Sequence, residues 1–220
     1  MKYAVFIAAV LLMAFTNPQK KKKVVFFGDS ITQAGVNPGG YIKQMDSLIA
    51  VEGQSANYEL IGAGIGGNKV YDLYLRLEND VLSKNPDVVV IYVGINDVWH
   101  KASSGTGTDL PKYIQFYKAL IKKFTDKNIK VIVCTPSVIG ERNDNSNQQD
   151  GDLNQYSKVI RSIADEFKLP VVDLRNAFAD YLQKNNPKNE EKGILTTDRV
   201  HLNNAGNLLV AQEMWKVLKK

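Results

Sequence analysis

The chain has 220 residues, of which 44% are hydrophobic and 23% are charged. This length and composition fit one globular domain with a full core, and they argue against a disordered or repeat protein. The net charge of +5 owes much to the lysine run 20–23, which we interpret as a solvated N-terminal stretch. The other charges are interspersed, so no nucleic-acid partner is indicated. Cys134 is the only cysteine, which excludes an intramolecular disulfide bond.

The chain starts with the features of a signal peptide. Lys2 precedes the apolar run 3–15, which suits the apolar region of a signal peptide and is short for a stable membrane span. Residues 16–19 offer only a weak cleavage site. We therefore predict a signal peptide over 1–19 with an uncertain cleavage site, and one folded domain over 20–220. The protein is expected to be exported to the periplasm or the extracellular space.

After this leader, short apolar runs alternate with longer segments of helical period. The runs are rich in valine and isoleucine without polar alternation, as expected of parallel strands covered on both faces. In chain order, the predicted strands cover 24–27, 58–61, 88–93, 129–134 and 171–172. The predicted helices cover about 40–52, 69–84, 109–127, 151–168 and 203–219.

This alternation predicts an α/β fold, a three-layer α/β/α sandwich around a five-stranded parallel sheet. In such sheets, ligands bind outside the carboxyl ends of the strands. Ser30 follows the first predicted strand, Gly66 and Gly67 follow the second, and the segment 94–97 follows the third. We expect all of them at the same edge of the sheet, which makes that edge the candidate site.

Ser30 and His201 are the residues best suited to nucleophilic catalysis. A serine hydroxyl becomes a good nucleophile when a base removes its proton, and His100 and His201 are the only histidines. Asp198 precedes His201 by three residues, so its carboxylate could hold the imidazole while the other ring nitrogen accepts the serine proton. From these residues alone, a helix-capping serine and a surface capping pair stay open as alternatives.

Two further groups could stabilise the oxyanion that forms during acyl transfer. Asn96 offers a side-chain amide at a strand end, and a loop glycine such as Gly67 can present its backbone N–H. An ordinary turn role for Asn96 is the alternative. We expect Trp99 and His100 to line the cleft, and the loops 101–108 and 141–152 to shape the pocket.

Four short blocks stand out along the chain: GDSIT from residue 28, the glycine turn with Gly67, GIND from residue 94 and DRVH from residue 198. In type and order they resemble the four signature blocks of the SGNH (GDSL-type) hydrolase family, whose members include esterases and lipases. The resemblance covers about residues 24–219. Ile31 stands where the name-giving pattern has leucine, which is a conservative difference.

The resemblance implies a flavodoxin-like α/β/α fold and a serine hydrolase mechanism. It makes Ser30 the nucleophile, His201 the general base and Asp198 the orienting partner of the histidine. The oxyanion hole then consists of the Ser30 N–H, the Gly67 N–H and the Asn96 side chain.

The resemblance also implies hydrolysis of short acyl or acetyl esters, including those of carbohydrates, through an acyl-enzyme and without a cofactor or metal. A lysophospholipase or thioesterase of the same family is the alternative. Asp29, Trp99 and His100 are the expected substrate-binding residues, and Gly66 is the alternative to Gly67 in the oxyanion hole. The oligomeric state stays open.

Two other segments suggest different functions. Residues 62–67 read GAGIGG and satisfy the dinucleotide fingerprint after a strand, but the acidic residue expected at the end of the next strand is missing. Residues 144–152 are rich in oxygen ligands but lack the calcium-loop spacing with its closing glutamate. A non-catalytic binding module is the remaining alternative, and the presence of every expected catalytic residue type argues against it.

Overall fold

The computed structural model describes residues 20–220, so the predicted signal peptide lies outside the described residues. Its centre is a parallel sheet of five strands. The strands are β1 (Lys22–Gly28), β2 (Tyr58–Gly64), β3 (Val88–Tyr92), β4 (Lys130–Cys134) and β5 (Val171–Val172). They lie in the order β2-β1-β3-β4-β5, which is the flavodoxin-like strand order. The predicted α/β fold and all five predicted strands are therefore confirmed.

Eight α-helices connect and flank these strands in the described part of the chain. They are α1 (Ser30–Gly35), α2 (Tyr41–Val51), α3 (Val70–Asp80), α4 (Ile95–Ser103), α5 (Leu110–Thr125), α6 (Asp150–Phe167), α7 (Leu174–Asn185) and α8 (Asn204–Leu218). The five predicted helices are confirmed, and a short 3₁₀ turn, Leu82–Lys84, follows α3. Within residues 20–220, no helix is both long enough and apolar enough to cross a bilayer.

Successive residues of β1 show that the helices form two layers. The Phe26 ring packs edge-on against Tyr41 of α2 at 5.8 Å, and the Phe27 ring packs edge-on against Phe124 of α5 at 6.3 Å. Because neighbouring strand residues point to opposite faces, α2 and α5 cover opposite faces of the sheet. Helix α8 packs beside α2, and α3 packs beside α5.

The structure adds three helices that the sequence reading did not predict, namely α1, α4 and α7. Helices α1 and α4 have only six and nine residues and begin within the GDSIT and GIND blocks, so they are too short to show a clear helical period. Helix α7 did carry a signal, since Leu174, Phe178 and Leu182 are buried at spacings of four.

Candidate active site

Ser30 is placed by the turn that joins β1 to α1. Strand β1 ends at Gly28, and Asp29 is the N-cap of α1, with its side chain accepting a hydrogen bond of 3.0 Å from the Ile31 N–H. Ser30 is the first residue of the helix and is only half-buried. The hydroxyl therefore lies at the carboxyl edge of the sheet, at the start of a helix whose dipole favours negative charge.

Asp198 and His201 lie on a tight turn in the irregular segment between α7 and α8. One oxygen of Asp198, Oδ1, accepts the N–H groups of Val200 at 3.1 Å and His201 at 2.8 Å. The other oxygen, Oδ2, lies 2.7 Å from Nδ1 of His201. The carboxylate thus fixes both the backbone of the turn and the orientation of the imidazole ring.

Two distant parts of the sequence meet at this histidine. His201 Nε2 lies 2.9 Å from Ser30 Oγ, across 171 positions of sequence. When Nδ1–H donates to Asp198, Nε2 is left free to accept the hydroxyl hydrogen of Ser30. The structure therefore brings together all three residues in a continuous hydrogen-bonded chain.

Asp198 remains accessible to solvent, with half of its side chain exposed. Its partial burial by itself would raise the pKa of the carboxyl, but the hydrogen bonds from the His201 side chain and from the Val200 and His201 N–H groups outweigh it. The pKa of Asp198 is accordingly lowered from its ordinary value. Asp198 is thus favoured as an anion, which is the form that can pair with an imidazolium.

The glycine turn after β2 lies close to Ser30. A Cβ built on Gly66 would lie 3.9 Å from Ser30 Cβ, and the Gly66 N–H donates to Gln33 Oε1 at 2.8 Å. Gly67 has a φ of +75°, a left-handed conformation that suits glycine. Within residues 20–220 the Gly67 N–H has no hydrogen-bond acceptor. Of the two glycines, Gly67 therefore has the N–H that is free to bind a ligand, whereas the Gly66 N–H is already bonded.

Asn96 reaches the same turn from the third strand. It lies in the first turn of α4, is buried, and donates through Nδ2 to the Asn68 carbonyl at 3.0 Å. An amide nitrogen carries two hydrogens, so one holds the glycine turn and the other is available to a ligand. The neighbouring Asp97 accepts the Val70 N–H and is fully buried, which raises its pKa to about 7.

The three expected substrate-binding residues have different surroundings. The Trp99 ring stands edge-on to the His201 ring at 6.3 Å, and the His100 ring lies 5.8 Å from Trp99. Partial burial, and next the charge of Lys69, lower the pKa of His100. Asp29 is buried as the cap of α1, and this burial raises its pKa to about 6; its contact with substrate stays a prediction.

Two positioning groups were not anticipated from the sequence. Arg76 on α3 donates to the Gly28 carbonyl at 2.7 Å and to Asn68 Oδ1 at 2.7 Å. It therefore connects the end of β1, just before Ser30, with the glycine turn. Glu141 is buried beside the segment that precedes Asp198. Neither residue belongs to a recognisable motif, and a basic residue on a helix is ordinarily solvated, so the sequence carried no usable signal for them.

The segment 62–67 has a packing explanation in place of a dinucleotide site. A Cβ on Gly62 would lie 2.3 Å from Val36 Cγ1, and a Cβ on Gly64 would lie 2.1 Å from the Gln33 backbone nitrogen. These glycines therefore allow β2 to approach α1 closely. The oxygen-rich segment 144–152 has bonds within itself, since Asn147 Nδ2 donates to Asp150 Oδ2 at 3.0 Å, and Asp150 also pairs with Arg175 of α7 at 2.6 Å. No metal-ligand cluster occurs among residues 20–220.

Residues 26–209 of the chain match the GDSL-like lipase/acylhydrolase family. The chain belongs to this family. It is 31% identical to an acetylxylan esterase of Geobacillus stearothermophilus over 209 residues, which cover 87% of this chain and 91% of that protein. It is also 26% identical to the GDSL esterase/lipase CPRD49 of Arabidopsis thaliana, over 91% of this chain and 80% of that protein.

Solved structures show the same relationship. The crystal structure of the acetyl xylan esterase AlAXEase is similar with a TM-score of 0.87 and 62% identity, over 88% of this chain and 98% of that one. Axe2 from Geobacillus stearothermophilus is similar with a TM-score of 0.80 and 27% identity, over 90% and 94%. The predicted family and the predicted class of enzyme, an ester hydrolase, are thereby confirmed.

Proposed function

We propose that this esterase removes acetyl groups from acetylated carbohydrates, with Ser30 as its nucleophile. The observation that carries the proposal is the hydrogen-bonded chain from Ser30 Oγ through His201 to Asp198 at the carboxyl edge of the sheet. This arrangement has the distances and the order of partners that acyl transfer by an activated serine requires.

In the proposed mechanism, Ser30 Oγ attacks the acetyl carbonyl carbon while His201 Nε2 takes the hydroxyl proton. The tetrahedral intermediate collapses, the bond to the sugar oxygen breaks, and the imidazolium returns its proton to that oxygen. Water then attacks the acetyl-enzyme with His201 as the base again, which releases acetate and restores the serine. Asp198 stabilises the transient positive charge on the imidazole, and its lowered pKa supports this role.

The developing oxyanion is assigned to three donors. The N–H groups of Ser30 and Gly67 have no acceptor elsewhere in residues 20–220, and Asn96 has one amide hydrogen to spare. Donors that are already oriented stabilise the transition state without reorganising during the reaction.

The substrate class rests on the relatives and on the form of the cleft. Two of the proteins to which the chain is similar are described as acetylxylan esterases, one of them at 62% identity. The surroundings of Ser30 are open, since residues 65–67 are exposed and Trp99 and His201 are only partly buried. Open surroundings suit a small acyl group on a large polar alcohol, and export, which stays a prediction, would bring the enzyme to such polymers.

Acetate release from acetylated xylooligosaccharides tests this proposal, run beside p-nitrophenyl acetate, butyrate and octanoate. We expect kcat/KM to be highest for acetyl esters, and Ser30→Ala to lower kcat by roughly 10⁶-fold without loss of fold. Ser47→Ala, at an exposed serine of α2, is the matched control and should retain full activity. Substantial turnover by Ser30→Ala would overturn the nucleophile assignment. A preference for octanoate would favour the lysophospholipase alternative.

A further inference from the structure

Glu141 carries a buried carboxylate that no step of the proposed mechanism uses. Its side chain has no exposed surface, and within residues 20–220 no lysine, arginine or histidine pairs with it. Three backbone N–H groups compensate for the buried charge instead: those of Ile194 and Leu195, each at 2.7 Å, and that of Thr196. A buried charge requires such compensation, so these bonds are strong constraints on the segment that supplies them.

That segment is the base of the loop that holds the active-site histidine. Thr196 and Leu202 form an antiparallel bridge, and the Asn203 N–H donates to the Leu195 carbonyl at 2.9 Å. The Thr197 N–H donates to the His201 carbonyl at 2.8 Å. Residues 195–203 thus form a hydrogen-bonded loop with Asp198 at its tip, and the Glu141 carboxylate binds the backbone at its base.

The backbone beside Glu141 also reaches the tip of this loop. The Gly140 N–H donates to the Arg199 carbonyl at 2.9 Å, and the Glu141 N–H donates to the Glu191 carbonyl at 2.9 Å. Arg199 lies between Asp198 and His201 and has a φ of +87°, in the left-handed region that side-chain-bearing residues rarely adopt. A strained turn persists only where its surroundings hold it, and residues 140–141 are part of those surroundings.

From these contacts we infer that Glu141 is a positioning residue, which sets His201 and Asp198 relative to Ser30 by anchoring the loop that carries them. The inference rests on the proposed function of that triad. Glu141 touches neither substrate nor reacting atoms in this scheme. Its effect reaches the reaction only through the geometry of the Ser30–His201 contact.

Glu141→Gln tests the inference, because glutamine keeps the shape of the side chain but replaces one acceptor oxygen by an amide that cannot accept. We expect kcat for acetyl esters to fall by about 10- to 100-fold, since small errors in placing a catalytic group have effects of this size, with little change in KM. The low-field proton resonance of the His201 Nδ1–H, in a chain with only two histidines, should shift or broaden.

Glu52→Gln is the matched control. Glu52 accepts hydrogen bonds from Trp215 Nε1 and Lys219 Nζ, each at 2.9 Å, and so joins the C-terminal ends of α2 and α8 away from the site. We expect this variant to lose thermal stability while kcat and the histidine resonance stay unchanged. The pair of variants therefore separates positioning from general stability.

Asn186→Ala keeps the inference testable if Glu141→Gln does not fold. Asn186 donates to the backbone carbonyl of Glu141 at 2.9 Å, and its replacement leaves the Glu141 carboxylate unchanged. A smaller fall in kcat in the same direction is therefore expected. Folded variants with wild-type kcat and an unshifted resonance would overturn the inference. A wild-type enzyme that releases no acetate would instead overturn the proposed function.

Discussion

The two halves of the active site are built in different ways. Ser30 sits at the end of a central strand, and its position follows from the register of β1 with its neighbours, in which Gly28 pairs with Gly64 on β2 and Tyr92 on β3. His201 and Asp198 instead sit on an irregular segment between α7 and α8. We call these parts the serine side and the histidine side.

The difference lies in what fixes the backbone. On the serine side, main-chain packing is tight enough that even a methyl group on Gly64 would collide with α1. On the histidine side, carboxylate oxygens of Asp198 and Glu141 bind backbone N–H groups in place of a strand or helix. Single polar substitutions should therefore be able to displace the backbone on the histidine side, whereas the backbone of the serine side depends on the sheet as a whole.

The largest effect that tests this comparison is expected from Asp198→Asn. The asparagine oxygen can still accept the N–H groups of Val200 and His201, so the turn should be retained. It cannot stabilise an imidazolium as a carboxylate does, and we expect kcat to fall by about 10⁴-fold. Steady-state kinetics on p-nitrophenyl acetate measure this fall.

Asp165→Asn, at an exposed carboxylate of α6, is the control for the loss of one charge and should leave kcat unchanged. A fall of only about tenfold in Asp198→Asn would mean that the serine side supplies most of the catalysis. In that case the distinction between the two sides would hold for structure but not for chemistry.

A smaller effect is expected from Asn96→Ala, which removes a proposed oxyanion donor on the serine side. Loss of one such donor lowers kcat by about 10²- to 10³-fold, with KM affected less. Asn185→Ala, at an exposed asparagine of α7, provides the control. If KM rises while kcat is unchanged, Asn96 binds the ground state, and its role in the transition state is contradicted.

The serine side was largely predictable from sequence, and the histidine side only in part. Ser30, Gly67 and Asn96 each follow a predicted strand, so the rule for parallel sheets predicted their shared edge, and the structure brings them together there. Asp198 and His201 were predictable as a pair because a spacing of three positions lets the carboxylate reach the imidazole. The contacts of Glu141 that hold their loop could not be predicted from the sequence. They join residues more than 50 positions apart and leave no periodic pattern in it.

Asp29 shows what a signature block does not determine, since its place in the block suggested a substrate contact. The structure makes it a buried helix cap with a 3.0 Å bond to the Ile31 N–H. A motif position indicates that a residue matters at the site, but it does not distinguish contact with substrate from support of the nucleophile. The support that Asp29 gives to α1 became visible only with its burial, which depends on the packing of α1 against the sheet.

The last effect concerns the buried acids under the serine side and appears as a pH dependence of stability, not of the catalytic rate. Burial raises the pKa of Asp97 from 3.8 to about 7 and that of Asp29 from 3.8 to about 6. At a pH between the ordinary and the raised pKa, the folded protein keeps a proton that the unfolded chain releases. The free energy of unfolding should therefore fall as the pH rises from about 4 to 7. Each unit of pKa difference contributes about 1.4 kcal/mol.

Asp97→Asn should abolish the part of this slope between pH 6 and 7 and leave the part due to Asp29 below pH 6. The asparagine oxygen can still accept the Val70 N–H, and urea unfolding at half-unit pH steps measures the slope. Asp87→Asn, at the amino edge of the sheet where Asp87 accepts the Lys23 N–H, controls for the change of charge. Equal slopes of the unfolding free energy against pH in wild type and Asp97→Asn would mean that Asp97 is buried as a carboxylate without a cost in stability. The serine side would then also contain a carboxylate stabilised by backbone N–H groups, as the histidine side does.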